Sequence, residues 1–374
     1  MRRQSVETLI AGLDAMHPER PFRVMNVCGG HERSITQAGL RSLLDKHIEL
    51  IPGPGCPVCI CPEEDIAQAI HLALNEQVIL LSFGDMLRVP VFSHTEGPRS
   101  LLAARSQGAD VRPVASPLDA VAIARANVTQ QVVFFAAGFE TTMAPVAAMV
   151  AEGVPDNLTV LLSGRLTWPA VAMLLSNDEQ AFDALIAPGH VATIMGSDEW
   201  AFVAEQHGLP TAIAGFHGES VLAALQCLLQ QRSDNRAQLV NCYPEVVKPQ
   251  GNTQAQQLLR EVMVVSAANW RGIGVVEDSG FTLRPEFATV NARVRFSELT
   301  DQSSFTPLAP PAGARCADVV LGRLYPDQCP LFGNECTPRH PIGPCMVSDE
   351  GACRIWMSSG MRSVDESKPT PEGV

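Results

Sequence analysis

Short runs of β-branched and aliphatic residues recur at near-regular intervals between residues 22 and 214, and Gly, Pro or Ser bounds most of them. Helical patterns, such as those at Leu101 to Arg105 and Ser220 to Gln230, lie between several of the runs. Repeated βα units of this kind predict open sheets with helices packed on their faces. The predicted strands form two series, 22–27, 48–51, 78–83 and 111–115, then 132–135, 158–162, 185–187 and 211–214.

The two series predict two α/β domains of similar build, although no residue-level repeat relates them and a duplication is only a hypothesis. The pattern changes after about Leu239, where a helical stretch at 252–264 precedes a short hairpin. Residues 300–314 are rich in Pro, Ser and Ala, which is typical of a boundary loop. We therefore predict open-sheet α/β domains at 1–130 and 131–238, and a small C-terminal domain at 239–374.

Charge and hydrophobicity restrict the class of protein. A formal charge of -13 and a pI near 5.1 argue against nucleic acid or an anionic membrane as the main partner. The N-terminus predicts a helix, because Val6, Leu9, Ile10 and Leu13 recur at helical spacing behind Ser5 as N-cap. No apolar segment follows that would make a signal peptide, and no run reaches the roughly 18 residues of a membrane span. We expect a cytoplasmic protein.

Eleven cysteines in a cytoplasmic chain favour metal ligands or redox thiols over a disulfide framework. Cys56 and Cys59 stand two residues apart in the segment PGPGCPVCICP, which predicts a stiff loop because Pro and Gly disfavour helix interiors and central strands. Two thiols at fixed separation suit thiol–disulfide exchange or metal capture. The alternative is a structural half-site for zinc. The role of Cys61 is not assigned.

The C-terminal segment carries five cysteines among Pro, Gly and Asn, with few residues that could build an apolar core. Four thiolates could bind a 4Fe–4S cluster or a structural zinc, and either would supply folding energy that a small core lacks. Cys316, Cys329, Cys336 and Cys353 are separated by gaps of twelve, six and sixteen residues, unlike the short ligand pairs of zinc sites. We favour a 4Fe–4S cluster on these four and leave Cys345 as the spare thiol.

The segment VCGGHER places Cys28 directly after a predicted strand and His31 three residues later. The two intervening glycines allow a bulky ligand to approach, and a thiolate with an imidazole suits iron or zinc. A buried thiol beside a surface histidine, or a Cys–His nucleophile pair, are the alternatives.

The segment GFETT places Glu140, Thr141 and Thr142 at a predicted strand-to-helix junction, where they could bind a polar ligand and Glu140 could accept a proton or orient a thiol. It lacks the ending of a P-loop, and the threonines could instead cap a helix that begins near residue 143. His190 in APGHV has a similar status. We predict no bound NAD or FAD, because no G-x-G-x-x-G is present. Cys227 is predicted to be a core residue, whereas the sequence does not decide whether Cys242 is a core residue or a functional one.

These motifs together, VCGGHE, GPGCPVC, GFETT, APGHV, YPEVV and CPLFGNEC, resemble those of the hydrogenase maturation factor HypD family, in register from about Pro21 to Trp356. The resemblance implies two similar α/β domains plus an iron–sulfur cluster domain. It also implies a scaffold on which the Fe(CN)2CO unit of nickel–iron hydrogenase is assembled, together with a HypC-type chaperone and a HypE-type cyanide donor.

Carried over by position, the resemblance implies that Cys28 holds the iron together with a cysteine of the HypC-type partner, with His31 close by. It implies that Cys56 and Cys59 are a redox pair comparable to that of ferredoxin–thioredoxin reductase. The 4Fe–4S ligands would be Cys316, Cys329, Cys336 and Cys353, and Glu140, Thr141 and Thr142 match the third family motif.

The sequence departs from the family pattern at Arg33, because the first motif commonly reads CGxHxH and the second histidine is missing here. Our main hypothesis is that a cluster passes electrons to Cys56 and Cys59, and that this pair controls chemistry at Cys28. One rival is a binding platform with a structural cluster. Another is a general iron–sulfur disulfide reductase, which would need no HypC-type partner.

Overall fold

The computed structural model describes residues 11, 20–44, 47–92, 97–176, 182–297 and 310–361. The predicted N-terminal helix and most of the predicted boundary loop lie outside these residues. The strands of the described chain are β1 (Phe22–Asn26), β2 (Ile48–Pro52), β3 (Ile79–Phe83), β4 (Val111–Val114), β5 (Val132–Gly138), β6 (Leu158–Arg165), β7 (Ala184–Pro188), β8 (Thr211–Ala214), β9 (Leu239–Asn241), β10 (Met263–Trp270) and β11 (Gly274–Leu283).

Helices alternate with most of these strands, as the repeated βα pattern predicts. The α-helices of the described chain are α1 (Gly29–Gln37), α2 (Leu40–Leu44), α3 (Pro57–Ile60), α4 (Glu63–Asn75), α5 (Leu101–Ser106), α6 (Pro117–Ala126), α7 (Glu140–Ala151), α8 (Thr167–Leu175), α9 (Gly189–Met195), α10 (Ala201–Glu205), α11 (Gly218–Ser233), α12 (Thr253–Val262), α13 (Ala292–Arg295), α14 (Cys316–Val320) and α15 (Ala352–Ser359).

The first sheet has five parallel strands in the order β2-β1-β7-β8-β9. Its central strands are buried on both faces, with Val24 of β1 opposite Leu50 of β2 and Ala184 of β7. Continuous apolar runs are typical of parallel strands that are covered by helices on both sides. The α/β class predicted from the sequence is therefore present.

The second sheet has six strands in the order β10-β11-β6-β5-β3-β4. Strands β3 to β6 are parallel, and β11 joins β6 antiparallel to them, with Phe281 opposite Gly164. Strands β10 and β11 form the predicted hairpin, although β10 begins at Met263, within the predicted helical stretch. The hairpin thus extends the second sheet and does not belong to a separate C-terminal unit.

Sheet membership does not follow the order of the chain. Strands β1 and β2 pair with β7, β8 and β9, whereas β3 and β4 pair with β5 and β6. The predicted boundary at residue 130 therefore separates strands that are hydrogen-bonded to each other. A crossover helix can return the chain to either sheet, and the apolar pattern of one strand does not specify its partner.

The C-terminal cysteines lie in a segment of short helices and turns at 310–361, with 3₁₀ turns at Pro326–Gln328 and Pro344–Met346. This segment shares a buried apolar cluster with the loop after β2, and the cluster includes Cys56, Cys336 and Trp356. Within the described residues, the longest apolar helices fall short of what a membrane span requires.

Candidate functional site

The loop after β2 ends in a single helical turn, α3, and not in the uninterrupted loop that its Pro and Gly content predicts. Pro57 occupies the first turn, where its missing N–H costs nothing, and Cys56 is the N-cap. The Cys56 Sγ accepts the backbone N–H of Cys59 at 3.2 Å. The two cysteines form a disulfide with a Cα–Cα distance of 5.3 Å, and both are buried.

Cys28 lies against this loop. It follows β1 as the N-cap of α1, and the N–H of Gly29 donates to the carbonyl oxygen of Gly55 at 3.2 Å. A Cβ at Gly55 would collide with the backbone of Cys28, so this close approach of two backbones requires glycine. The Cys28 loop and the disulfide loop are therefore packed together at the carboxyl ends of β1 and β2.

Four sulfur-bearing residues line one narrow cavity of about 20 Å³, namely Cys28, Cys56, Cys59 and Cys345. The structure thus brings together the three thiols predicted at the two N-terminal motifs. It also adds Cys345, to which the sequence assigns no role.

Burial, and after it the negative charge of Glu350, raises the pKa of Cys28 to about 12. Backbone N–H groups of Gly30 and His31 act in the opposite direction. The backbone and Cβ of Glu350 pack so closely on Gly29 that a side chain at position 29 would collide with them. Cys28 is therefore a neutral thiol at neutral pH, and a bound cation would have to displace its proton.

His31 is fully buried, and its Nε2–H donates to the carbonyl oxygen of Ala214 at 2.9 Å. That bond leaves the lone pair on Nδ1, which has no hydrogen-bond partner among the described residues. Burial lowers the pKa of His31 to about 4, so the ring is neutral. A neutral imidazole with a free lone pair is the form that binds metals.

A stack of three rings connects His31 to the loops after β7 and β8. Phe216 lies between His31, at a centroid distance of 4.7 Å, and His190, at 3.6 Å. A Cβ at Gly30 would lie 2.7 Å from Cδ1 of Phe216, so the second glycine of VCGGHER gives the ring its space. Sequence reasoning missed Phe216, although it follows a strand, where ligands bind in open α/β sheets.

Glu32, which the sequence analysis does not single out, ties the Cys28 motif to the C-terminal segment. Its buried carboxylate accepts from Arg41 Nη2 at 2.6 Å and from the indole N–H of Trp356 at 2.7 Å. Arg33, which replaces the motif histidine, donates instead to the carbonyl oxygen of Asp349 at 2.6 Å. Both residues hold α1 against the segment that carries the late cysteines.

The five late cysteines lie in one neighbourhood. The pKa of Cys316 is raised to about 12 by burial and by the charges of Cys345, Cys336 and Cys329. Cys353 is hydrogen-bonded through its side chain to Cys345, whose Sγ also accepts the Cys353 backbone N–H at 3.2 Å.

No group of three or more His, Cys, Asp or Glu side chains in the described chain converges on a single metal ion. A 4Fe–4S cluster does not need this convergence, because each thiolate binds a different iron.

Arg271 supplies a test of whether an anionic cluster fits this segment. A cavity of about 450 Å³ is lined by Cys59, Cys316, Cys345 and Arg271. The Arg271 Nη2 pairs with Glu63 at 2.6 Å, whereas its Nη1 is buried with no hydrogen-bond partner in the described chain. An unsatisfied guanidinium beside thiols suits a negatively charged group. Of the four predicted cluster ligands, only Cys316 lines this cavity, and Cys345 is the other late cysteine there. The thiol chemistry and the buried cation are compatible with an anionic group held by thiolates.

Comparison with known proteins identifies the family. The family profile described as "HypD: Hydrogenase formation hypA family" matches residues 4–360. The hydrogenase maturation factor HypD of Escherichia coli (strain K12) is 40% identical over 342 residues, which cover 90% of this chain and 89% of that protein. The hydrogenase expression/formation protein HupD of Azotobacter chroococcum mcd 1 is 39% identical over 352 residues, covering 92% and 90%.

The chain belongs to the HypD family. Membership of the HypD family supports a role in hydrogenase maturation, with partners among the maturation proteins.

The GFETT motif of this HypD-family chain lies at the carboxyl end of β5 in the second sheet, and its Phe139 belongs to the same buried apolar cluster as Cys56 and Cys59. Glu140 is fully buried and accepts from the backbone N–H of Thr167 at 2.6 Å and from its hydroxyl at 2.8 Å. The helix begins at Glu140, so Thr141 and Thr142 lie in its first turn, and Phe139 is the N-cap. Glu140 lines neither of the two thiol cavities.

Burial raises the pKa of Glu140 to about 7, while the bonds from Thr167 oppose the shift. Burial also raises the pKa of Glu199 to about 9, with a further contribution from the charge of Glu140. Glu140 of the motif and Glu199 of the 3₁₀ turn Asp198–Trp200 are thus two neighbouring carboxyl groups whose protonated forms are favoured.

Cys61 belongs to a buried polar network and not to the thiol cavities. Its Sγ lies 3.5 Å from the hydroxyl of Ser163, which donates to Asp65 at 2.6 Å. Asp65 in turn accepts from Arg293 at 2.6 Å. This thiol is part of the packing between α4 and the second sheet.

Proposed function

We propose that this chain is the scaffold and redox protein on which the Fe(CN)2CO unit of nickel–iron hydrogenase is assembled. The observation that carries the proposal is the single cavity lined by Cys28, Cys56, Cys59 and Cys345. This cavity brings Cys28, the proposed iron ligand, close to the Cys56–Cys59 disulfide and to Cys345 of the C-terminal segment.

Cys28 would bind the iron of the unit as cargo. Its thiol gives up its proton when the cation arrives, because the positive charge offsets the burial that raises the thiol pKa. The side chain is half-buried, which leaves it accessible to a cysteine of a HypC-type chaperone. Gly29 and Glu350, which line the same cavity, would help to exclude water from strong-field cyanide and carbon monoxide ligands.

His31 would serve the same cargo as a neutral imidazole. Its Nε2–H is fixed by the carbonyl oxygen of Ala214, so Nδ1 keeps a lone pair for the metal or for a ligand proton. A HypE-type protein would supply cyanide to this centre.

The residues Cys316, Cys329, Cys336 and Cys353 would hold a 4Fe–4S cluster, with Arg271 offsetting its negative charge. When bound, such a cluster supplies electrons one at a time. The Cys56–Cys59 disulfide accepts two electrons and two protons and becomes two thiols, one of them beside Cys28. The chain would therefore control the redox state of the pocket in which the cargo is held.

The first test replaces Cys28 with Ala and records the infrared spectrum of the complex with the HypC-type partner. We expect the cyanide and carbon monoxide bands to disappear. The matched control is Cys227→Ser, another half-buried thiol, which should retain them under reducing conditions. Bands that persist in Cys28→Ala would exclude Cys28 as the iron ligand.

A binding platform is the second candidate, and the burial of the disulfide favours it, because Cys56 is 6% and Cys59 is 2% exposed. The same burial argues against a general disulfide reductase, whose protein substrate would have to reach these sulfurs. The double variant Cys56→Ala, Cys59→Ala separates the remaining two functions. Normal hydrogenase maturation in this variant would support the platform, whereas its loss would support the redox role.

A further inference from the structure

Two thiols that the proposed function does not use lie against each other on the first sheet. Cys227 belongs to α11, and Cys242 directly follows β9. Their sulfurs are 3.3 Å apart, and Cys242 donates its S–H to Cys227. Both side chains are half-buried, so small reagents can reach them.

The geometry requires only a small movement to form a bond. An S–S bond is about 2.05 Å long. The two sulfurs, now 3.3 Å apart, must therefore approach by only about 1.25 Å to bond.

We propose that Cys227 and Cys242 form a second thiol–disulfide pair, which is oxidised by a low-molecular-weight disulfide such as oxidised glutathione. This proposal does not rest on the proposed function of the Cys28 cavity.

The direction of the hydrogen bond assigns the two steps. Cys227 accepts the S–H of Cys242, so Cys227 is the sulfur that attacks first as a thiolate. It bonds to one sulfur of the small disulfide and expels the other as a thiol. Cys242 then loses its proton, attacks the Cys227 sulfur and expels the second small thiol. The protein loses two electrons and two protons, and the small disulfide gains them.

The pKa of Cys242 is consistent with this order, because burial and then Cys227 raise it to about 12. Closure of the protein disulfide should therefore be the slow step at neutral pH, and it should accelerate as the pH rises.

The bond would fix a loop that supports the ring stack at Cys28. Tyr243 follows Cys242, and a Cβ at Gly189 or Gly215 would lie 3.2 Å or 3.0 Å from its ring. Those glycines immediately precede His190 and Phe216. A disulfide at Cys242 would therefore restrain Tyr243, whose ring packs against the glycines that precede two residues of the ring stack.

The experiment treats the reduced full-length protein, in a Cys56→Ser, Cys59→Ser background, with oxidised glutathione and maps the peptides by mass spectrometry. We expect a linked Cys227–Cys242 peptide. The variant Cys242→Ser should instead keep a glutathione adduct at Cys227. The variant Cys227→Ser should form an adduct at Cys242 more slowly.

Hydrogen exchange provides a second measurement that does not depend on any variant. Oxidation should slow amide exchange in the peptide that covers 239–249, because the link restrains local opening of that loop. Recovery of two free thiols, or of a separate glutathione on each cysteine, would overturn the proposal. Unchanged exchange in protein that carries the link would overturn the restraint on Tyr243.

Discussion

At the carboxyl edge of the first sheet, Glu32 is buried beside Arg41, whose Nη2 lies 2.6 Å from its carboxylate. At the corresponding edge of the second sheet, Glu140 is buried, and the half-buried Glu199 of the 3₁₀ turn Asp198–Trp200 lies close enough for the charge of Glu140 to raise its pKa. In the described chain, no Lys or Arg forms an ion pair with either of these two carboxyl groups. One edge therefore holds a paired charge, and the other holds carboxyl groups that keep their protons.

The difference shows how the same position in an α/β fold can support different chemistry. The paired Glu32 fixes α1 to Trp356 and so sets the position of Cys28 against the C-terminal segment. Glu140 and Glu199 have raised pKa values, and neither lines a thiol cavity. The Fe(CN)2CO cargo is accordingly proposed for the first edge.

The largest expected effect is on the iron and sulfide content of the protein, which tests the proposed cluster in the C-terminal segment. Protein purified without oxygen should contain about four irons and four acid-labile sulfides per chain, with the Mössbauer spectrum of a cluster. Cys336→Ala should lose them, because it removes a predicted ligand. Cys345→Ala is the matched control and should retain them. Zinc, or no metal, in the wild-type protein would reduce the segment to a structural role.

The next effect tests the paired charge. Glu32→Ala leaves Arg41 buried without its carboxylate and the Trp356 N–H without an acceptor. We expect the free energy of unfolding to fall by about 3 to 5 kcal/mol, as measured by denaturant titration. Asp110→Ala, which removes a half-exposed partner of Arg112, should cost no more than about 1 kcal/mol. Equal losses in the free energy of unfolding of the two variants would show that the buried Glu32 pair stabilises the protein no more than an exposed pair does.

Most of the strands were predictable because an apolar run between turn residues is a local signal. The strand Thr211–Ala214 has the predicted bounds, and the helical stretch at 252–264 ends only two residues early. The sheet to which each strand belongs was not predictable. Strand β1 lies in the first predicted domain, yet it pairs with β7, which lies in the second. Strand pairing depends on contacts distant in sequence, which no single run encodes.

The residues of the candidate site likewise fall into two groups, those that a local motif predicts and those whose position depends on contacts distant in sequence. The placement of Cys28 and Cys56 in loops after strands was predictable, because their motifs contain the glycines and prolines that such backbones require. Glu32 was not, because its partner Trp356 is 324 positions away. Phe216 was missed for a related reason, since only the folded chain shows that it separates two histidines.

A smaller effect tests the contact between the two thiol loops. Gly55→Ala places a methyl group against the backbone of Cys28 and should destabilise the protein by about 1 to 3 kcal/mol. It should also change the rate at which Cys28 is alkylated. Gly84→Ala is the matched control, because a Cβ there meets nothing within 4 Å, and it should have little effect. An unchanged alkylation rate in Gly55→Ala would contradict the close packing.

The last prediction tests the carboxyl groups that have no ion-pair partner, and it uses the pH dependence of stability. The pKa of Glu199 in the folded protein is raised to about 9, so folding favours its protonated form. The stabilisation is complete below the usual pKa of about 4.5 and is lost as pH rises towards 9, by at most about 1.4 kcal/mol per pH unit. Glu199→Gln removes this ionisation, so its melting temperature should exceed that of the wild type at pH 8 by more than at pH 5. Glu205→Gln, an exposed carboxylate on α10, should change neither value. If both variants follow the wild-type pH profile, the GFETT region does not hold protons, and the contrast between the two edges fails.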